Sequence, residues 1–120
     1  MTSPVSEKAK LFLLKPDFQD SAYPGHSFFC RHCALVEGVL ASFPQLTDKI
    51  DVFRLYFPRP RQAVIDLIGA ANQGLPVLVL AEVQNPATVS GEEGGRKFVS
   101  GSDNIIAVFA ELFDIAVPHP

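Results

Sequence analysis

Pro76-Val77-Leu78-Val79-Leu80-Ala81 is the most continuously apolar stretch of the chain, and it narrows the folds open to the rest. A strand without polar alternation is covered on both faces, so its sheet needs helices on either side. Segments of both kinds are present. Leu11–Lys15 is a short apolar run ended by Pro16, Asp51–Phe57 is β-branched and aromatic, and Lys97–Ser100 is short; each reads as a strand. From Cys33 the apolar positions Leu35, Val36, Val39, Leu40 and Phe43 follow helical spacing until Pro44 stops them. Pro58 and Pro60 suit the entry of a second helix, with Val64, Ile65 and Ile68 on one face before Gly69 and Gly74. Ile105, Ile106, Phe109, Leu112 and Phe113 face inward on a third, and Val83–Gly95, bearing Gly, Ser and Pro, reads as a loop. The order β-α-β-α-β-β-α predicts an α/β fold with a four-stranded mixed sheet and helices on both faces.

At 120 residues the chain is expected to form one domain over 1–120, with a flexible N-terminal tail at 1–10 and a C-terminal tail at 117–120. Hydrophobic residues at 48% and charged residues at 19% exclude a disordered chain. A net charge of −3 gives no basic footprint for nucleic acid or an anionic membrane, so neither is expected as a partner. The first ten residues are polar and lack a signal-peptide core, and no apolar run approaches membrane-spanning length. A cytoplasmic location is expected, while the oligomeric state is not legible.

Cys30-Arg31-His32-Cys33 contains both cysteines of the chain, at the head of the first helix pattern. A sulfur there meets unpaired backbone N–H groups and the positive end of the helix dipole, which favours the thiolate. In a reducing compartment two cysteines this close point to redox chemistry or metal ligation rather than a permanent crosslink. Cys30, at the helix entrance, is the expected nucleophile; Cys33, one turn in, is the expected resolving thiol; Arg31 and His32 add charge or donors beside the sulfur. Two alternatives stand: a non-catalytic binding module, and metal ligation through His26, Cys30, His32 and Cys33, two nitrogens and two sulfurs that zinc accepts.

With that element order, the sequence resembles the thioredoxin-like superfamily, and glutaredoxins in particular. Cys30-Arg31-His32-Cys33 stands after the first strand, Leu75-Pro76 directly before the third, and Gly101-Ser102-Asp103 between the fourth strand and the last helix, each where that family has a landmark. The stretches at 11–16, 57–60 and 75–80 also look like an uncharacterised bacterial domain family placed in the same superfamily. Arg31 stands where glutaredoxins usually have proline, and Pro16–Phe29 is a long insertion before the cysteines. His32 resembles the residue before the second cysteine in strongly oxidising relatives.

The resemblance implies a thiol–disulfide oxidoreductase with no resident cofactor and with glutathione, or a protein dithiol or disulfide, as partner; a cluster bridging two protomers is a further option that it brings. It implies a cis Leu75–Pro76 bond that turns the Leu75 backbone toward the cysteines. Lys15, Leu75, Pro76, Gly101, Ser102 and Asp103 then become the expected glutathione contacts, with the turn at 101–103 presenting N–H groups to a carboxylate. Each has a plainer role as well: Ser102 or Asp103 as a helix N-cap, Lys15 as a solubilising strand end, Pro76 as a strand start. Arg59 and Arg61 read as a solvated helix entrance, and Tyr23, Phe28 and Phe29 as aromatics that pin the insertion or form a lip over the sulfur.

Overall fold

The computed structural model describes residues 7–120, so positions 1–6 of the expected N-terminal tail lie outside the described residues. The strands are β1 (Ala9–Leu14), β2 (Ile50–Leu55), β3 (Val77–Val79), β4 (Gly91–Glu93) and β5 (Arg96–Ser100). The helices are α1 (Arg31–Ser42), α2 (Gln62–Ile68) and α3 (Ser102–Phe113), with a short 3-10 turn at Pro44–Asp48. The strands form one mixed sheet in the order β2-β1-β3-β5-β4; β1 and β2 run parallel, and the remaining neighbours are antiparallel.

The apolar run over 76–81 lies in the middle of this sheet as its lack of polar residues requires. Leu78 and Leu80 join Leu11, Leu13 and Val99 in a layer under α1 and α3, built with Val36, Leu40, Ile105, Val108 and Phe109. Val77 and Val79 face the other way and meet Phe12, Phe98, Val64 and Ile68 of α2. Alternation along each strand sends successive side chains into different layers, and both layers are apolar. No helix among the described residues is long and apolar enough to cross a membrane.

The structure corrects the expected four-stranded sheet to five strands. The segment read as a loop over Val83–Gly95 contains β4, which folds back on β5 through Gly94 and Gly95 with φ of 59° and 79°. Two consecutive positive-φ residues make the tight turn that matches strand twist, and glycine reaches that geometry without steric cost. Smaller shifts have local causes. β1 begins at Ala9, two residues early and inside the expected tail, because Ala9 is buried opposite Ile50. β2 ends at Leu55, since Phe57 leaves the sheet to stack on Phe18 at 4.4 Å. Leu35, one of the helically spaced apolar positions of the first helix, points outward.

Candidate functional site

The cysteine pair sits where the carboxyl end of β1 meets the amino end of α1. Cys30 is the N-cap of α1, with extended backbone, and its Sγ accepts a hydrogen bond from the Cys33 N–H at 3.2 Å. A sulfur in this position replaces the serine or aspartate oxygen that ordinarily caps a helix. Cys33 lies one turn further in and is 2% exposed, whereas Cys30 is partly exposed. Both are free thiols. The Leu14 N–H, at the end of the sheet's second strand from the β2 edge, points at Cys33 Sγ at 3.4 Å. Burial, then the neighbouring Cys30 thiol, push the Cys33 thiol up to about 12, and the Leu14 hydrogen bond opposes them only in part. The two sulfurs are thus chemically unequal: one reachable, one held protonated beneath it.

Contacts link the pair to two of the other expected segments. His32 Nδ1 lies 3.4 Å from Ser102 Oγ at the start of α3. Gly101 N–H reaches the Pro76 carbonyl at 3.4 Å, and Leu75–Pro76 is a cis bond. Among the described residues, the Leu75 N–H and C=O make no backbone hydrogen bond. Gly101, at φ 89°, is the N-cap of α3 and no side chain caps that helix, which corrects the reading of Ser102 or Asp103 as N-cap. Ser102 is instead a buried first-turn residue, and Asp103 is the exposed acid of that turn. Lys15 places its Nζ 4.0 Å from the centre of the Tyr56 ring, off the cysteines.

The four candidate metal ligands are not gathered. Among the described residues no three His, Cys, Asp or Glu side chains are placed to hold one metal ion. His26 packs toward Phe28 in the insertion, and His32 faces Ser102.

Three further features surround the cysteines. Arg61, expected at a solvated helix entrance, is only 7% exposed. Its guanidinium donates to the Phe57 carbonyl through Nε and Nη2 and to the Gln73 carbonyl through Nη1, while the Arg61 N–H donates to Gln73 Oε1. This clamp ties the β2–α2 turn to the segment leading into Leu75. Burial, then the like charge of Arg59, lower the Arg61 pKa, and Cys33 and Cys30 act on it in the opposite sense. Glu37, one turn after Cys33 on α1, receives two 2.7 Å hydrogen bonds from Arg54 of β2 and fastens the cysteine-bearing helix to the sheet edge. The i, i+4 spacing of Cys33 and Glu37 is a signal that could have placed them on one helix face.

The third feature is the insertion. Phe18 and Phe28 exchange backbone hydrogen bonds of 3.0 and 2.7 Å, closing the loop between them, and Phe18 anchors it on Phe57. Phe28 is thereby a pinning aromatic, whereas Phe29 and Tyr23 project into solvent. Pro16 and Phe29 at its two ends, with Leu14, Cys30, Cys33, Ala34 and Glu37, line a cavity of about 230 Å³ beside the sulfurs.

Comparison with known proteins adds one finding: a family model described as a protein of unknown function (DUF3088) matches residues 8–117. No curated protein and no solved structure is a match.

Proposed function

We propose, for a chain that belongs to this family over nearly its whole length, a thioredoxin-like, glutaredoxin-like thiol–disulfide oxidoreductase working through Cys30 and Cys33. The observation that carries the reading is the inequality of the two thiols: Cys30 caps a helix N-terminus at the surface, and Cys33 donates its N–H to that sulfur while its own thiol stays buried. Cys30 then attacks a substrate disulfide, the helix N-terminus supporting its negative charge. Once a mixed disulfide has formed, the Cys33 sulfur attacks Cys30 Sγ and releases the substrate thiol. Sheet order and element sequence support the superfamily reading, since the strands other than β4 make a four-stranded mixed sheet behind the cysteines. His32, Ser102, Gly101, Leu75 and Pro76 lie within a chain of short contacts from the sulfurs and are the substrate-facing residues of this proposal, with Asp103 and Lys15 at its margins. A cytoplasmic setting, where a thiol pool keeps such a pair reduced, belongs to the same proposal.

The test is intact mass of the freshly purified protein before and after a thiol-blocking reagent, repeated on Cys30→Ser and Cys33→Ser. Mild oxidation is expected to remove two hydrogens from the wild type, reversibly. Under native conditions the reagent is expected to label Cys30 far faster than Cys33. Two equally sluggish thiols that never form an intramolecular disulfide would overturn the reading in favour of a binding module.

A further inference from the structure

We infer that the cavity beside the cysteines is a side-chain subsite: it takes an aromatic or large aliphatic residue next to the cysteine of a peptide disulfide, and so selects protein substrates over glutathione. The inference rests on the thiol–disulfide reading above and specifies its substrate.

The cavity adjoins the cysteine pair, because Cys30 and Cys33 are both part of its wall. At about 230 Å³ it exceeds the roughly 150 Å³ of an apolar cavity that holds benzene, so a phenyl or isobutyl group fits. Leu14, Pro16, Phe29 and Ala34 make the remaining wall apolar apart from Glu37, and the Glu37 carboxylate is held by the Arg54 guanidinium at 2.7 Å. Phe29 is 66% exposed, so an incoming side chain would bury an apolar surface that now meets water. Among the described residues no cation lines the cavity. Lys15 rests on the Tyr56 ring and Arg61 on the carbonyls of Phe57 and Gln73, and the exposed Arg31, though next to Cys30 in the chain, is not part of the wall. Glutathione brings two carboxylates, which gain nothing from such a wall, whereas a peptide brings an apolar side chain and an extended backbone for the Leu75 N–H and C=O, which make no backbone hydrogen bond among the described residues.

The reaction balances without a further component. The Cys30 thiolate attacks one sulfur of the peptide disulfide, forming a mixed disulfide and expelling the other sulfur as a thiolate. The Cys33 thiol then attacks Cys30 Sγ, the peptide leaves as its second thiolate, and the proton of Cys33 passes to solvent or to that sulfur. The peptide has gained two electrons, and the protein, reduced with dithiothreitol that is removed before the assay, is left holding a Cys30–Cys33 disulfide.

The experiment is single-turnover reduction by the pre-reduced full chain. The substrates are matched peptide disulfides with Phe, Leu, Ala, Asp or Lys beside the cysteine, together with glutathione disulfide. The Phe and Leu peptides are expected to react at least tenfold faster than the Ala and Asp peptides and than glutathione disulfide. Ala34→Leu, which fills the cavity from the exposed face of α1, is expected to shrink the Phe-to-Ala ratio to within about twofold, as is Phe29→Ser. Equal rates across the peptides, or glutathione disulfide reacting as fast as the Phe peptide, would overturn the subsite and leave the redox reading in place. Failure to reduce any disulfide would overturn both.

Discussion

A thiol whose pKa rises from 9.0 to about 12 on burial couples folding to pH at the level of one residue. The folded state holds the Cys33 proton more tightly than the unfolded chain, so the contribution is fully present below pH 9. As pH climbs from about 9 toward 12 the unfolded state ionises first and stability falls, by up to about 1.4 kcal/mol per pH unit for one group. Urea midpoints at pH 7 to 11 are expected to decline more steeply above pH 9 in the wild type than in Cys33→Ala; the slope, rather than the absolute midpoint, isolates the thiol from the cavity the variant leaves. The cysteines themselves were legible in the sequence, as were their order of exposure and their place at a helix head. Arg61 was not. In Pro58-Arg59-Pro60-Arg61 both arginines look alike, and what separates them is two carbonyls, of Phe57 and Gln73, that turns elsewhere in the chain leave free to receive a guanidinium. A charge is buried by partners, and partners distant in sequence leave no local trace.

At the scale of elements, the β4–β5 hairpin shows why a strand escaped a pattern-based reading. Gly91-Glu92-Glu93 contains no β-forming residue, and it becomes a strand only because Phe98, Lys97 and Arg96 lie opposite it. The turn was the better signal, since Gly94-Gly95 at adjacent positive φ is a hairpin signature even between weak strands. Gly95→Ala is therefore expected to cost about 1 kcal/mol or somewhat more, whereas Gly94→Asn is expected to be nearly neutral, because asparagine tolerates the left-handed region. Denaturant melts of the two variants compare them directly, and equal losses would contradict this turn geometry. The central strand and the three helices were readable because periodicity and proline or glycine stops agreed there; at α2 the helix starts at Gln62, past both prolines, with the clamping Arg61 as its N-cap.

Across the whole molecule the two apolar layers are unequal. α1 and α3 cover one face with most of the buried residues, while α2, seven residues long, contributes the buried Val64 and Ile68 and the partly buried Leu67 to the smaller layer. A helix this short has little stability of its own and depends on that packing. Native-state hydrogen exchange is expected to show the α2 amides opening at lower free energy than those of β1, β3 and α3, with the cysteine-bearing face remaining closed meanwhile. Uniform protection over all three helices would contradict this hierarchy. The pinned insertion has a different consequence. Because the Phe18–Phe28 pair closes its base and Phe18 rests on Phe57, the nine residues between them form a self-contained cassette whose ends stay fixed whatever its tip contains. Loop-closure entropy changes only slowly with length, so tips of other lengths and chemistries can be grafted there at small energetic cost. The molecule thus has a port beside its sulfurs at which new recognition can be installed while β1 and α1 keep their places.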